Sequence, residues 1–317
     1  MLYDAISMIK NLFIIITIIF LFICAGYASY VLSPSSVEQI GDTIMPADTK
    51  STEDQTSATQ NITTPAKIQP HRALYDIRLI ESHNAAQIVN ISGKMYFEWE
   101  ETCDAWITDH RFNLIYEYSD SPAMQITSDF STWESRDGKT FLFSSRRSRN
   151  GELYDEIRGQ ANIDEDGNGT VTYTLPEEVV MDLPRGTIFP MKHTFALIEN
   201  INNPDSPFIN AIVFDGSDED GPVEINAFLG KEITPEIKDN DEIDQSLLSS
   251  KAHMLQMAFF PLMNNIESSS DYEVRSNFYE NSVIGDMKVF YDEFSIEQNL
   301  IALKPVKQNM KAEECNN

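Results

Sequence analysis

The sequence is poor in the residues that catalysis and metal binding use most. Its 317 residues include three cysteines and five histidines. None of the histidines lies in a GxSxG, HExxH or Ser-His-Asp arrangement that the sequence allows us to place. The sequence therefore predicts a protein that is not an enzyme, with no catalytic residues, no bound metal and no cofactor.

Positive charge is scarce as well. The chain has 23 Lys and Arg against 50 Asp and Glu, a formal net charge of −27. Nucleic acids and anionic lipid headgroups bind basic surfaces, so this charge argues against both as partners. The one dense basic cluster, residues 146–149, is predicted to be a solvated loop beside acidic residues such as Glu152.

A long apolar run stands at the N-terminus. Lys10 precedes apolar residues from 12 to 25, and small residues occupy positions 26 and 28. This pattern predicts a secretory signal over residues 1–28, cut near Ala28. An uncleaved membrane anchor is the alternative, and it would be the only membrane contact. Residues 29–70, rich in Ser, Thr, Pro and Gln, are predicted to form a disordered linker.

Two cysteines remain once the signal is removed, Cys103 and Cys315. In an oxidising compartment such a pair predicts one disulfide. Two free thiols and a metal site are the alternatives, although two sulfurs without a neighbouring pair of histidines are too few for a metal. A bridge between them would close a long loop and stabilise the fold by up to about 5 kcal/mol.

Beyond residue 70 the chain has the alternating pattern of β-strands. From Ala105 to Tyr118, large apolar residues alternate with polar ones, and turn signals recur about every 10 to 15 residues. This rhythm predicts an all-β fold of antiparallel strands. Short helices are expected at residues 176–183 and 191–201, and we expect one of them to plug or cap a curved sheet.

The segment around Trp133 predicts a β-hairpin. Asp137-Gly138 stands between two alternating runs, the strongest short-range hairpin signal. Folding about this turn pairs Trp133 with Leu142 on one face and places Glu134 on the other. Because large apolar residues then lie on both faces, we expect packing partners on both sides, as in a wrapped sheet that encloses an interior.

Two acidic segments resemble cation-binding loops only in part. Residues 164–169, DEDGNG, have the one, three, five spacing of a calcium loop, but Leu175 stands where the bidentate glutamate belongs. They predict a hairpin loop. Residues 215–221, DGSDEDG, lack that spacing and predict an exposed turn.

Three residues are candidates for a catalytic role, and the surroundings of each argue against it. His110 lies on the aromatic face of the long strand, which predicts a hydrogen-bonded core histidine. His193 stands near a helix start and predicts a capping or packing residue. Glu134 would have a raised pKa if buried, but no second carboxylate or nucleophile is placed near it.

Five strings carry a family resemblance. They are HRALYDIRL with His71, GKMYFEWEETCDAW with Cys103, DFSTWESRDGKTFLF with Trp133, Glu134, Asp137 and Gly138, LPRGTIFPMKHT with Phe189, Pro190 and His193, and VFDGSDEDG with Asp215 and Gly216. On these strings, residues 71–317 resemble the EipB family, the cell-envelope-integrity proteins of alphaproteobacteria. The resemblance gives these motif residues structural roles.

The resemblance implies a signal-cleaved periplasmic protein whose many antiparallel strands wrap as an open barrel or β-spiral, with two or three short helices. A disulfide between Cys103 and Cys315 would close it. The resemblance also implies a role in envelope integrity, no known catalytic residues, and cooperation with tetratricopeptide-repeat partners. One departure is Asn281-Ser282-Val283, where an Asn-Gly-Val turn is usual in the family.

Together these features predict a non-enzymatic periplasmic protein that binds a cell-wall component or a periplasmic tetratricopeptide-repeat partner. The alternative is a carrier or chaperone for a lipid or a lipoprotein acyl chain held in a concave sheet. A lumen filled by side chains or by a helix would count against the carrier.

Overall fold

The computed structural model describes residues 68–83, 87–201, 206–236, 240–262, 269–306 and 315. The predicted signal and most of the predicted linker lie outside these residues. The last three linker residues, 68–70, lie on the domain: the Gln69 N–H donates to the Asn281 carbonyl (3.1 Å), and Ile68 packs against the core. No helix of the described part is long and apolar enough to cross a membrane.

One antiparallel sheet of fourteen strands forms the domain. The strands are β1 (His71–Ser82), β2 (Ile88–Glu101), β3 (Ala105–Tyr118), β4 (Met124–Ser135), β5 (Thr140–Arg149), β6 (Glu152–Ile163), β7 (Gly169–Leu175), β8 (Val179–Leu183), β9 (Phe208–Val213), β10 (Val223–Ile233), β11 (Ala252–Pro261), β12 (Tyr272–Tyr279), β13 (Ile284–Tyr291) and β14 (Phe294–Pro305). An α-helix, α1 (Pro190–Ile201), and a short 3-10 helix (Gln245–Leu248) accompany them. The predicted all-β, many-stranded antiparallel fold is confirmed.

The order of the strands shows how the sheet wraps. Strands are neighbours in space as they are in sequence from β1 to β8 and from β9 to β14, and β1 pairs with β14 in the middle. Ile188, in the segment between β8 and α1, meets the end of β9 in an isolated bridge with Val213. There the Ile188 N–H donates to the Ile212 carbonyl (2.9 Å), and the Phe214 N–H donates to the Ile188 carbonyl (3.0 Å). The result is an open barrel bridged by main-chain hydrogen bonds.

The hairpin of β4 and β5 has the predicted register, with Trp133 opposite Leu142. At its turn Gly138 has φ +66°, a conformation that glycine adopts without steric cost. The Asp137 carboxylate accepts the N–H of Lys139 (3.0 Å) and so closes the turn locally.

Residues 176–183 form no helix, contrary to the prediction. They contain β8, which pairs with β7 and forms one edge of the sheet. Two adjacent β-branched residues, Val179 and Val180, favour the strand. The second predicted helix, over residues 191–201, is confirmed as α1.

The basic residues 146–149 do not form a solvated loop either. They belong to β5, and the turn follows at Asn150-Gly151, with φ values of +50° and +84°. Because side chains alternate along a strand, Arg146 points outward and Arg147 is buried on the inner face. The acidic neighbours of the cluster lie on the adjacent strand, β6.

Helix α1 lies against the inner face of the sheet. The Phe195 ring contacts Trp106 on β3, with ring centroids 5.4 Å apart. Leu197 belongs to a buried apolar cluster with Leu255 on β11 and Phe278 on β12. The helix therefore fills part of the space that the sheet encloses, as expected for one of the helices.

Candidate functional site

Glu134 caps the first turn of α1 from the inner face of β4. Its carboxylate accepts the N–H of Met191 (2.8 Å) and of Lys192 (3.2 Å), two donors that the helix itself leaves unpaired. The helix begins at Pro190, which has no N–H to satisfy. Glu134 is 3% exposed, and burial raises its pKa to about 8 although the two N–H groups oppose that shift. The arrangement anchors a helix.

His193 and His110 line a small cavity beside α1. Burial lowers the pKa of His193 to about 4 and that of His110 to about 3, so both rings are neutral near pH 7. The cavity has a volume of about 90 Å³ and mostly apolar walls, such as Phe259 and Met287. No carboxylate is among its described lining residues.

Residues 215–218 and 221 are buried, although an exposed turn was predicted, and Glu219 is the exposed residue of this loop. Asp215 is 3% exposed and Asp218 is 8% exposed. Gly216 has φ +69°, and a Cβ at this position would lie 2.3 Å from the ring of Phe143 on β5. The prediction was wrong because the loop packs against aromatic side chains of the inner face. That contact cannot be predicted from the polar composition of the loop itself.

Arg147 supplies a cation to this buried acidic loop. Its guanidinium donates to the Ser217 carbonyl and to the Asp155 carboxylate, the latter at 2.9 Å. Burial raises the pKa of Asp215 to about 7 and that of Asp218 well above its usual range. Desolvation is the main cause of both shifts, and it favours the protonated form of these two carboxyl groups.

Residues 164–169 form the predicted hairpin loop between β6 and β7. The exposed Asp164 carboxylate accepts the N–H of Asp166 (2.9 Å) and of Asn168 (2.8 Å). Hydrogen bonds from Asn168 hold the pKa of Asp164 below its usual value. Across the part of the chain that the structure describes, no three His, Cys, Asp or Glu side chains are grouped as a metal ion requires.

Cys103 and Cys315 form a disulfide, with their Cα atoms 5.1 Å apart and a sequence separation of 212. Cys103 lies in the turn between β2 and β3. Beside this turn Arg136 pairs with Glu101 and lies over the Trp106 ring, 4.3 Å from its centroid. The bridge attaches the end of the chain to one rim of the sheet.

His71 begins β1 and is fully buried. Its Nδ1 lies 2.8 Å from the Gln69 carbonyl oxygen and 3.0 Å from Nε1 of Trp99 on β2. Burial lowers the pKa of His71 to about 4, and its ring packs against Phe97 (5.6 Å between centroids). These contacts fix the start of β1 against β2, a structural role.

Four of the motif residues converge at the start of α1: Glu134, Phe189, Pro190 and His193. The Phe189 ring stacks on the Phe141 ring, with 5.1 Å between their centroids. Phe141 lies opposite Glu134 in the β4–β5 hairpin. Nothing in the local sequence indicated that Glu134 caps a helix 57 residues away, because a cap supplied by another element leaves no local pattern.

Trp133 lies on the opposite face of the hairpin from Glu134. Ile107, Trp133 and Leu142 are directly paired across β3, β4 and β5, and they line a groove of about 760 Å³ on the outer face. Leu142 is 40% exposed, and no described strand or helix lies over the groove. Packing partners were expected on both faces of the hairpin. The structure has them on the inner face, and no described element supplies them on the outer face.

The fold and its filled interior define a barrel-like, all-β class of protein. A family model described as EipB-like matches residues 63–307. The chain is 28% identical over 240 residues to the cell envelope integrity protein EipB of Brucella abortus (strain 2308), an alignment that covers 75% of this chain and 84% of that protein.

A solved structure shows the same architecture. The crystal structure of a beta-barrel-like protein of a domain of unknown function from Brucella abortus matches with a TM-score of 0.71 at 25% sequence identity, covering 76% of this chain and 99% of that one. With its matching family model, the chain belongs to the EipB-like family.

Proposed function

We propose that this chain is a non-enzymatic periplasmic protein that supports cell-envelope integrity by binding a cell-wall component or a periplasmic partner at its outer surface. Family membership and the name of the Brucella relative support the envelope role. The disulfide and the apolar N-terminal run with its small residues support export to an oxidising compartment.

The filled interior carries this proposal. Helix α1 occupies one part of the enclosed space, and the buried loop 215–221 occupies another. Among the described residues, the cavity beside α1 has a volume of about 90 Å³, whereas sites for small ligands are typically about 300–1,000 Å³. Since this cavity between described residues has little room for a ligand, we assign binding to the outside.

The same observation argues against the alternative, a carrier for a lipid or lipoprotein acyl chain. Such a chain would enter only if α1 left the sheet. That movement would break the two hydrogen bonds to Glu134 and expose the apolar cluster around Leu197. Burial of that cluster opposes the movement.

A complementation experiment separates the two functions. Ser276 on β12 lines the cavity and is 5% exposed, so Ser276→Leu places extra apolar volume inside without touching the outer face. In a strain lacking the gene, we expect this variant to restore resistance to detergents and β-lactams as fully as Ser276→Ala, the matched control that removes the hydroxyl alone. Immunoblots would verify equal protein levels.

Failure of Ser276→Leu at a wild-type protein level, with rescue by Ser276→Ala, would favour the carrier and contradict the proposal. A catalytic role is tested in the same strain by His110→Phe, His193→Phe and Glu134→Gln. We expect each variant to rescue once its level is matched to that of the wild type. Loss of rescue by one of them at full level would instead indicate chemistry inside the barrel.

A further inference from the structure

The outer face of the sheet carries an apolar row that no described element covers. Ile107, Trp133 and Leu142 occupy directly paired positions on three consecutive strands. On a two-faced hairpin such residues are normally buried under a second layer. Leu142 is 40% exposed, and Ile107 and Trp133 are partly buried. An accessible apolar row on the wall of a groove indicates a surface with a binding role.

The row continues into polar side chains. In the same register, Leu142 pairs with Gln160 on β6, and Gln160 pairs with Thr172 on β7. From β3 to β7 the row crosses four strand spacings, about 19 Å at about 4.8 Å each. The Gln160 amide donates to the Asn162 side-chain oxygen (3.0 Å), so two amides lie side by side at this end of the groove.

The charge of the groove differs from that of the rest of the molecule. Although the chain has 50 acidic residues, neither Asp nor Glu is among the described residues that line it. Arg158 is the one charged residue of that lining, and its guanidinium lies 3.8 Å from Glu156. The groove thus suits a polar ligand with little charge of its own.

This chemistry excludes several kinds of occupant. A peptide that adds a strand needs an unpaired sheet edge, whereas β3 to β7 are each paired on both sides. Nucleic acid needs several Lys or Arg side chains, and Arg158 is the one such residue in the described part of the lining. A second copy of the chain would bring another net charge of −27 to the same face, which opposes association.

We propose that the groove binds a glycan chain, with one sugar ring packed on the Trp133 indole and hydroxyl groups hydrogen-bonded to Gln160 and Asn162. A pyranose ring has an apolar C–H face and a rim of hydroxyl groups, which match an indole beside amides and hydroxyls. This inference rests on the proposed function and deepens it, because it names the cell-wall component as the sugar backbone of the wall.

Binding is tested with the purified exported chain and glycan strands from which the stem peptides have been removed. The protein has three tryptophans, of which Trp99 and Trp106 are 3% and 2% exposed. A change of intrinsic fluorescence on addition of glycan therefore reports on Trp133. We expect saturable binding, and we expect Trp133→Ala to weaken it at least about tenfold.

Two further variants make that result specific. Phe208→Ala removes an aromatic residue that is 68% exposed on the edge strand β9, and we expect it to bind glycan as the wild type does. Trp133→Phe retains an aromatic ring and should bind better than Trp133→Ala. Circular dichroism would show that the Trp133 variants are folded. Isothermal titration calorimetry would measure their affinity for glycan, since it does not depend on tryptophan fluorescence.

Three outcomes would overturn the inference: no binding of glycan strands by the wild type, equal affinity for Trp133→Ala, or a wild-type dimer that Trp133→Ala converts to a monomer. Binding of stem peptides alone would also overturn it while leaving the proposed function intact. The proposed function is contradicted by a different result, namely loss of rescue by Ser276→Leu or by a His110, His193 or Glu134 variant at full protein level. The two failures are therefore distinguishable.

Discussion

Residues 164–169 and 215–221 are both short acidic loops with two glycines, and they occupy opposite environments. In the first loop Asp164 is exposed, and backbone and side-chain hydrogen bonds lower its pKa. In the second loop Asp215 is buried, and desolvation raises its pKa to about 7. The difference comes from what lies next to each loop: solvent at the first, and Phe143 with Arg147 at the second.

The comparison teaches that an acidic composition does not decide burial in this fold. What decides is whether the loop faces the inside of the wrapped sheet. The same rule applies to the β4–β5 hairpin. Glu134 points inward and accepts a hydrogen bond from the first turn of α1, whereas Trp133 faces the outer groove. Inward residues should therefore control stability, and outward residues should affect it little.

The largest expected effect concerns the cation of the buried loop. Arg147→Met removes the guanidinium that bonds Asp155 and the Ser217 carbonyl. We expect the free energy of unfolding to fall by about 3–5 kcal/mol, because buried carboxylates lose their partner. Arg146→Met, on a side chain that is 59% exposed, should cost at most about 1 kcal/mol. Equal losses in urea denaturation would mean that the loop is not buried.

Matched glycines compare the two loops directly. Gly216 and Gly167 both have positive φ, +69° and +80°, but a Cβ at Gly216 would meet Phe143 at 2.3 Å and a Cβ at Gly167 would meet nothing within 4 Å. We expect Gly216→Ala to lower the free energy of unfolding by about 3 kcal/mol. Gly167→Ala should lower it by only about 1 kcal/mol, the cost of the backbone conformation. A larger loss at Gly167 would reverse the comparison.

The dependence of stability on pH should differ in sign between the loops. The pKa of Asp215 rises from 3.8 to about 7 on folding, so its favourable contribution is complete below about pH 4 and is lost as pH rises to about 7. Asp215→Asn should therefore gain stability relative to the wild type over that range. The difference between the two proteins cancels the opposing contribution of the buried histidines, whose lowered pKa values make stability rise with pH.

Asp164→Asn serves as the control for that measurement. The lowered pKa of Asp164 gives a contribution that is present above its unfolded pKa and is lost as pH falls. Relative to the wild type, this variant should therefore lose stability as pH rises, mainly near and below pH 4. Parallel pH profiles for the two variants in thermal denaturation would contradict the assigned environments.

The smallest expected effect lies on the outer face. Leu142→Ser removes an apolar side chain that is 40% exposed, and we expect the free energy of unfolding to change by no more than about 0.5 kcal/mol. A loss above about 2 kcal/mol in urea denaturation would show that something covers the groove.

Elements fixed by local chemistry could be predicted from the sequence. Asp137-Gly138 set the register of the β4–β5 hairpin, and period-two alternation located the long strand β3. The start of α1 followed from Pro190 ahead of an apolar stripe. Asn150-Gly151 is an equally strong turn signal, and it places residues 146–149 on the strand before the turn.

Features that depend on distant partners could not be predicted. The strand at residues 179–183 exists because β7 offers an edge to pair with. The burial of Asp215 depends on Phe143 and Arg147, which lie about 70 residues earlier in the chain. Ser282 is not a glycine, yet its backbone has φ +71°, so the surrounding fold imposes the turn there.

The filled interior is tested most directly by native mass spectrometry of the protein isolated from the envelope fraction in a mild detergent. If α1 and the loop 215–221 occupy the enclosed space, the mass will be that of the exported polypeptide with one disulfide and no lipid. A lipid bound in a one-to-one ratio, retained by the wild type and lost in Ser276→Leu, would contradict this account.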